Sequence, residues 1–490
     1  MNMDGSVTEL VDRDALLRSL QPHGQEHLLR FWDQLKSEER QKLARQIAEI
    51  DFGVLEKLRS LYGFGSQHGH ESASPWAALA ERAESPPAVR LDGSGLPCSI
   101  EQARVLGRAA LSAGEVGMIL VAGGLGTRLG FDRPKGMFRL GPLSRRPMFQ
   151  ILIDHLLAVG RRYGNRPIPL YVMTSDATDA ATRDFFAAHG NFGLAVDQLQ
   201  FFKQGAMWSL DAKGDRILME SPGRIFVGPD GHGGMLAALD RCGALADMQR
   251  RGLRHIFYGQ IDNPLLQVCD PLLLGSHIAV RSEMTTQVVR KRHPLERVGN
   301  VVAIDGRVQV IEYSDLPESA ARRLNANGSL QLWAGNLAVH VFDVGFLTRV
   351  AGQPDALPFH VARKKVPCLG DDGQMIEPAN PNALRFERFI FDLLPSAENA
   401  LVVEADPTEA FAPVKNSDSE PTDNPTTARQ AMIEQSRRRL REAGIEVPAE
   451  LPVEINPLWA LDADEIQAKL KPQASLSRPT YFAPDGPIEY

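Results

Sequence analysis

The run Val116-Gly117-Met118-Ile119-Leu120-Val121-Ala122, followed at once by Gly123-Gly124-Leu125-Gly126-Thr127-Arg128-Leu129-Gly130, decides the fold. Its first half is short, apolar and sharply bounded, as a buried parallel strand is. Its second half sets Gly123, Gly124, Gly126 and Gly130 within eight residues. Lacking Cβ atoms, such a loop turns tightly, takes up positive φ and lets a ligand approach the backbone closely. Successive N–H groups exposed this way form an anion-binding concavity. Arg128 and Lys135 set two cations beside it. The stretch reads as a phosphate cradle at a strand end.

Two known cradles can be tested against it. A Walker loop ends in Gly-Lys-Ser/Thr, whose hydroxyl holds magnesium, but here Gly136 follows Lys135. A dinucleotide-binding loop, which Gly124-Leu125-Gly126 begins to match, must open a helix packed on the strand. Pro134 and Gly136 break such a helix within about two turns. No acidic residue stands at the usual place for a ribose contact. The dinucleotide reading, and with it an NADP-dependent oxidoreductase, is disfavoured.

Residues 120–135 also resemble a longer signature, L-x-x-G-G-x-G-T-R-L-G-x-x-x-P-K, of the sugar-nucleotide pyrophosphorylases. The resemblance implies that Val121, Ala122, Gly123 and Gly124 wrap the phosphates of a nucleoside triphosphate. Arg128 and Lys135 then neutralise charge during transfer.

Composition bounds the rest. A chain of 490 residues has room for two or three domains and a large core. Hydrophobic content of 43% and charged content of 23% are ordinary for a soluble globular protein. A net charge of −7 argues against a nucleic-acid or anionic-membrane binder, since both need a basic face. Cys98, Cys242, Cys269 and Cys368 are far apart and lack metal-ligand spacing, as in a reduced, cytoplasmic protein. The N-terminus, with Asp4, Glu9 and Asp12, has neither a basic start nor an apolar signal core. No stretch is long enough to span a membrane. The sequence does not disclose an oligomeric state.

Residues 1–98 read as an N-terminal helical region and linker. Leu28, Leu29, Trp32 and Leu35 recur at helical spacing, as do Leu43, Ile47 and Ile50. Ser37 before Glu38 and Glu39 predicts an N-cap. The Gly/Ser/His-rich stretch 63–74, with His68 and His70, reads as a solvated loop rather than a metal site. Residues 25–32 resemble the N-terminal helical region of the UDP-N-acetylhexosamine pyrophosphorylases. Ser99-Ile100-Glu101-Gln102 is a capping box that opens a helix leading to the glycine loop.

From Glu115 to about Leu274, strand-like and helical runs alternate, which predicts an α/β fold with a doubly wound, mostly parallel sheet. The resemblance makes it a Rossmann-like nucleotidyltransferase domain over residues 99–430, with a small C-terminal domain, 431–490, of unassigned role. In such sheets ligands bind at the carboxyl ends of strands. Asp262 leaves the predicted strand 254–261 at such an end. It reads either as a magnesium ligand or as an Asx turn before Pro264. The resemblance favours Mg²⁺ and nucleotide.

Further motifs extend the likeness. Phe201-Phe202-Lys203-Gln204-Gly205 resembles an F-F-x-Q-G segment whose Gln, here Gln204, hydrogen-bonds uracil. Pro229-Asp230-Gly231-His232-Gly233-Gly234 resembles a P-x-G-x-G loop in which Gly231 contacts the base and His232 faces the sugar. The hexosamine enzymes carry Asn where His232 stands, and a His there looks more like the glucose-using relatives. Val301–Ile304 and Arg307–Ile311 around Asp305-Gly306 predict a hairpin with a type I′ turn. Glu312-Tyr313-Ser314 and Ala334-Gly335-Asn336 match the E-Y-S and A-G-N segments, so the likeness implies that Glu312, Tyr313 and Asn336 line the sugar pocket. A structural Asn at a β-bulge is equally compatible with the residues alone. The basic run 360–367 resembles an H-V-A-x-K-K-x-P segment, although a charge run is ordinarily solvated. Phe386-Glu387-Arg388-Phe389-Ile390-Phe391-Asp392 reads as a helix. Arg385 stands just before it, where the hexosamine enzymes have a nucleotide-contacting Lys. Phe411-Ala412-Pro413-Val414-Lys415-Asn416 resembles F-x-P-x-K-N, in which Lys415 binds the sugar phosphate. Asn424 and the residues after it predict a helix reaching about Ala443.

Together these imply an enzyme that forms UDP-sugar and pyrophosphate from UTP and a sugar 1-phosphate, with Mg²⁺. N-acetylglucosamine 1-phosphate is the first candidate and glucose 1-phosphate the alternative. From another class, a catalytically silent UDP-sugar-binding protein is the competing reading.

Overall fold

The computed structural model describes residues 12–62, 75–353, 356–471 and 474–490. Asp4, Glu9 and the 63–74 stretch with His68 and His70 lie outside the described residues. The chain divides into two compact units. The smaller comprises residues 1–73, 205–234 and 358–389, the larger 74–204, 235–357 and 390–490.

In the larger unit, nine strands among the described residues form one sheet. They are β1 (Val116–Val121), β2 (Leu170–Thr174), β3 (Leu199–Lys203), β4 (His255–Gln260), β5 (Met284–Arg290), β6 (Asn300–Ile304), β7 (Arg307–Ile311), β8 (Ala334–Asp343) and β9 (Ala400–Glu404). Their order is β7-β6-β8-β4-β1-β2-β3, with β5 paired to both β8 and β9. The strands β4, β1, β2 and β3 are mutually parallel, so the expected α/β sheet is present. Beyond β4 the sheet is mixed, because β8 runs antiparallel to β4, β5 and β6.

Local sequence accounts for these elements. Ser99 caps the helix Ile100–Ala113, its hydroxyl accepting the Gln102 N–H while the Gln102 side chain returns to the Ser99 N–H. β1 is buried along nearly its whole length, as a strand covered on both faces must be. The helix Met148–Arg162 buries Phe149, Leu152 and Leu156 in the same core as Met118 and Leu120 of β1. Asp305 (φ 50°) and Gly306 (φ 78°) close the β6–β7 hairpin with the left-handed pair a type I′ turn requires. Past the sheet, Asn424 caps the helix Pro425–Glu442. Beyond it Val453–Ile455, Thr480–Ala483 and Gly486–Glu489 make a three-stranded sheet around Trp459 and Phe482.

The smaller unit has its own core, in which Leu28, Trp32, Leu43 and Leu55 pack with Trp208, Ile217 and Phe386. Three expectations are corrected. Leu28, Leu29 and Trp32 sit in short 3₁₀ turns, Glu26–Leu29 and Trp32–Gln34, and Leu35 leaves the second in an extended conformation. Ser37 is the first residue of its helix, preceded by Lys36, whose N–H is capped by Glu39 at 2.8 Å. Phe386–Asp392 is not a helix. Leu384 and Phe386 alternate inward on the strand Ala383–Glu387, and a 3₁₀ segment, Ile390–Ser396, follows. Two-residue alternation, easily confused with a helical stripe over so few positions, governs here.

Burial of His277 predicts acid sensitivity for the larger unit. The ring is 1% exposed, with Nδ1 against Thr285 Oγ1 at 2.8 Å. Burial, with a smaller effect of neighbouring His255, pushes its pKa down to about 3. The unfolded chain binds that proton near pH 6.5, so this contribution is whole above about pH 6.5 and is lost as pH falls toward the folded value. Thermal melts from pH 7 to 5 are expected to show a falling midpoint. In the His277→Gln variant, which has no proton to gain, the slope is expected to be shallower; an unchanged slope would remove His277 as its source.

Candidate active site

Parallel strands of the larger unit deliver residues 121–124, Gln204 and Asp262 to one edge of the sheet. Just past β1, Ala122 N–H donates to Met173 O at 2.8 Å, and Ile261 N–H donates back to Val121 O at 3.0 Å. The glycine loop then folds as two 3₁₀ turns, Thr127–Leu129 and Lys135–Met137, around the short pair Leu125–Gly126 and Phe131–Pro134. No helix opens on β1, which is the geometry expected from Pro134 and Gly136. Lys135 N–H closes the loop on Gly124 O at 3.0 Å.

Gly123 lies where three strand ends meet. Ser175 Oγ donates to Gly123 O at 2.7 Å, and Gln204 N–H donates to Thr174 O at 2.9 Å. A Cβ on Gly123 would stand 2.8 Å from Gln204 Oε1. Glycine thus lets the Gln204 carboxamide lie against the loop backbone.

The other half of this edge is built on Val414. Val414 N–H donates to Asp262 O at 2.8 Å, and Lys135 Nζ donates to Val414 O at 3.3 Å. Lys415 comes next, its N–H held by Asp423 O at 2.7 Å and its Nζ 6.0 Å from the centre of the Phe411 ring. One residue, Val414, therefore links Lys135 and Asp262 beside Lys415. The Asp262 carboxylate makes no hydrogen bond or ion pair among the described residues, and Arg128 is exposed and likewise without an ion pair. Asn263, which sequence reasoning passed over, fixes this arrangement. Buried after β4, it donates to Ala410 O at 2.7 Å and accepts from Ala412 N–H at 3.1 Å. No group of three or more His, Cys, Asp or Glu among the described residues could hold a metal ion.

Glu312 and Asn336 meet at Gly299. Asn336 N–H donates to Gly299 O at 2.8 Å, and a Cβ on Gly299 would stand 2.9 Å from Glu312 Oε1. Tyr313 is exposed. Asn336 also stands where β5 and β8 shift register, and its Oδ1 accepts the Ala338 N–H at 3.0 Å, Ala338 lying at φ 55°. The bulge uses the carboxamide oxygen.

In the smaller unit the 229–234 loop is anchored by a buried ion pair. Asp230, 2% exposed, meets Arg388 Nη2 at 2.8 Å, and Gly233 N–H donates to Arg388 O at 2.7 Å. Gly231 adopts φ 82°, and a Cβ there would strike Arg388 O. Arg385 Nη2 donates to Pro229 O at 3.2 Å. His232 stacks on Phe389 with centroids 5.3 Å apart, and His360 lies 4.6 Å from the same ring. Burial, then the nearby His360, pushes the His232 pKa down to about 4, so its imidazole is neutral at physiological pH. Nothing in the sequence links Asp230 to Arg388, 158 positions apart. In the basic run, Lys364 and Lys365 are exposed, as a solvated face would be.

Among the described residues, no helix is long and apolar enough to cross a membrane. Comparison with known proteins agrees with the motifs. UDP-N-acetylhexosamine pyrophosphorylase-like protein 1 of Xenopus tropicalis is 34% identical over 441 residues, 87% of this chain and 84% of the relative. UDP-N-acetylglucosamine diphosphorylase 1 of Arabidopsis thaliana is 34% identical over 476 residues, 93% and 90% of the two chains. The crystal structure of the uridine diphosphate N-acetylglucosamine pyrophosphorylase from Trypanosoma brucei superposes with a TM-score of 0.78 at 26% identity, covering 97% of this chain and 99% of that one. Residues 100–462 match the family described as UTP–glucose-1-phosphate uridylyltransferase, and the chain belongs to that family.

Proposed function

We propose that this protein joins UTP to a sugar 1-phosphate, N-acetylglucosamine 1-phosphate in preference to glucose 1-phosphate, and releases pyrophosphate. The observation that carries the reading is the convergence of Lys135, Asp262 and Lys415 on the single residue Val414 at the carboxyl edge of the parallel strands. The preference for the acetylated sugar rests on the names of the relatives that align with most of the chain.

No protein nucleophile is required. A phosphate oxygen of the sugar 1-phosphate attacks the α-phosphorus of UTP in line; the new P–O bond forms as the bond to pyrophosphate breaks. Catalysis is then positioning and charge stabilisation. In this reading Val121, Ala122, Gly123 and Gly124 line the triphosphate, and Arg128 and Lys135 offset its charge. Lys415 orients the incoming phosphate. Gln204, with a donor and an acceptor, suits the uracil edge, and Gly231 and Arg385 also serve the nucleotide. Glu312, Tyr313, Asn336 and His232 face the sugar.

Asp262 suits Mg²⁺, which takes one or two carboxylates and completes its shell with phosphates and water; its unpaired carboxylate fits that role without a protein cage. When bound, the ion supplies positive charge to the phosphates. Asp262 and Arg128, each without an ion pair among the described residues, also argue against a silent binding protein, which needs no such charges. The test is a thermal-shift comparison: UTP is expected to raise the melting midpoint and NADPH to leave it unchanged. The reverse pattern would overturn the reading.

The resemblance favours the glucose alternative at one position: His232, a neutral imidazole, stands where it implies Asn in the hexosamine enzymes. The His232→Asn variant is expected to raise the ratio of kcat/KM for N-acetylglucosamine 1-phosphate over glucose 1-phosphate by about tenfold, the scale of one discriminating contact. An unchanged ratio would remove His232 from sugar selection.

A further inference from the structure

Lys291 is a buried cation that no motif accounts for. It follows β5 at the carboxyl edge of the sheet and is 7% exposed. An ammonium group removed from water is costly unless well partnered. Burial moves its pKa down to about 8, against the opposing effect of the Glu296 carboxylate. Among the described residues it makes no ion pair; its Nζ donates instead to Asn300 Oδ1 at 2.5 Å and to Pro294 O at 3.3 Å.

The partner explains the placement. Asn300 opens β6, and its Nδ2 donates to Val298 O at 3.2 Å and to Ile311 O, the end of β7, at 3.3 Å. Asn300 also pairs with Gly335 of β8, while Lys291 N–H donates to Trp333 O at 2.9 Å. One ammonium and one carboxamide thus tie together the ends of β5, β6 and β7, and backbone pairing carries the tie on to β8. The residue after Ile311 is Glu312, and the residue after Gly335 is Asn336. Both flank Gly299, whose carbonyl accepts the Asn336 N–H.

We propose that Lys291 is a positioning residue for the sugar-facing wall: through Asn300 it sets the separation of Glu312 and Asn336, and so the affinity for the sugar 1-phosphate, without touching either substrate. This rests on the reading that Glu312 and Asn336 face the sugar. An apolar side chain of equal length would fill the same space, but it would leave Asn300 Oδ1 without its donor and free the carboxamide to rotate away from Ile311. A misplacement of a fraction of an ångström at a substrate-positioning group is enough to be measured.

The experiment compares wild type with Lys291→Met, Asn300→Ala, the double variant and Lys291→Arg. It measures kcat, the KM for N-acetylglucosamine 1-phosphate, the KM for UTP and the melting midpoint. Lys291→Met is expected to raise the sugar-phosphate KM about tenfold and leave the UTP KM within about twofold. Asn300→Ala is expected to do the same, and the double variant to add nothing, as two members of one relay must. Lys291→Arg, which keeps the charged donor, is expected to stay nearer wild type than Lys291→Met, and it carries the comparison if the Met variant does not fold. An unchanged sugar-phosphate KM in Lys291→Met would overturn the proposal. So would both KM values rising together with a fallen midpoint, or additive effects in the double variant. Asn336→Ala separates the two failures. If it leaves the sugar-phosphate KM unchanged, the sugar-wall reading fails and takes the proposal with it. If it raises that KM while Lys291→Met does not, only the role of Lys291 is lost.

Discussion

Lys135→Ala is expected to lower kcat by about 10²–10³-fold, the cost of removing one aimed charge from a developing phosphoryl centre, while the protein stays folded. The structure separates the two effects. Lys135 is half-buried, and its side chain makes one hydrogen bond, to Val414 O at 3.3 Å. Losing one such bond costs about 1 kcal/mol, a shift of ~2–4 °C in the midpoint at most for a unit of this size. The backbone bond from Lys135 N–H to Gly124 O, which closes the glycine loop, survives the substitution. Turnover near wild type would remove Lys135 from the chemistry. A large fall in the midpoint would instead make it a structural residue.

Asp262→Asn is the second large effect. The carboxylate has no partner among the described residues, whereas the Asp262 carbonyl holds Val414 N–H, and asparagine keeps that carbonyl. The substitution therefore removes a charge and little else. Metal-assisted charge stabilisation is worth several kcal/mol, so kcat is expected to fall about 10³-fold, with a higher Mg²⁺ concentration needed for half-maximal rate. Asp262→Asn with full activity and an unchanged Mg²⁺ dependence would exclude it as the metal ligand.

Much of the larger unit's fold was legible because its signals are local. The β1 run, the Ser99–Gln102 box and the Asp305-Gly306 turn each carry their instructions within a few residues, and each folds as those instructions predict. Pro134 and Gly136 gave equally local notice that no helix opens on β1. Phe386–Asp392 misled because two registers compete in a short apolar run. There Leu384 and Phe386 answer to the facing strand His360–Lys364, and a sequence window does not contain that partner. The 3₁₀ turns at Glu26–Leu29 and Trp32–Gln34 bury Leu28, Leu29 and Trp32, the residues a helix would bury, so burial was right where geometry was not.

What stayed hidden was the scaffolding behind the motifs. Asn263 reaches Ala410 and Ala412, Asp230 reaches Arg388, and Lys291 reaches Asn300 at the start of β6. These are polar side chains satisfied by groups that only folding brings near. In sequence each is a common residue type in an unremarkable place. Asn336 shows the converse, since a residue singled out for recognition also has its oxygen engaged by the bulge at Ala338.

The most direct test is pyrophosphate release from the purified full chain with UTP and Mg²⁺, measured side by side with N-acetylglucosamine 1-phosphate and glucose 1-phosphate. Release that depends on sugar phosphate, faster with the N-acetylated sugar, is the expected result. No release with either sugar phosphate would contradict the proposed reaction.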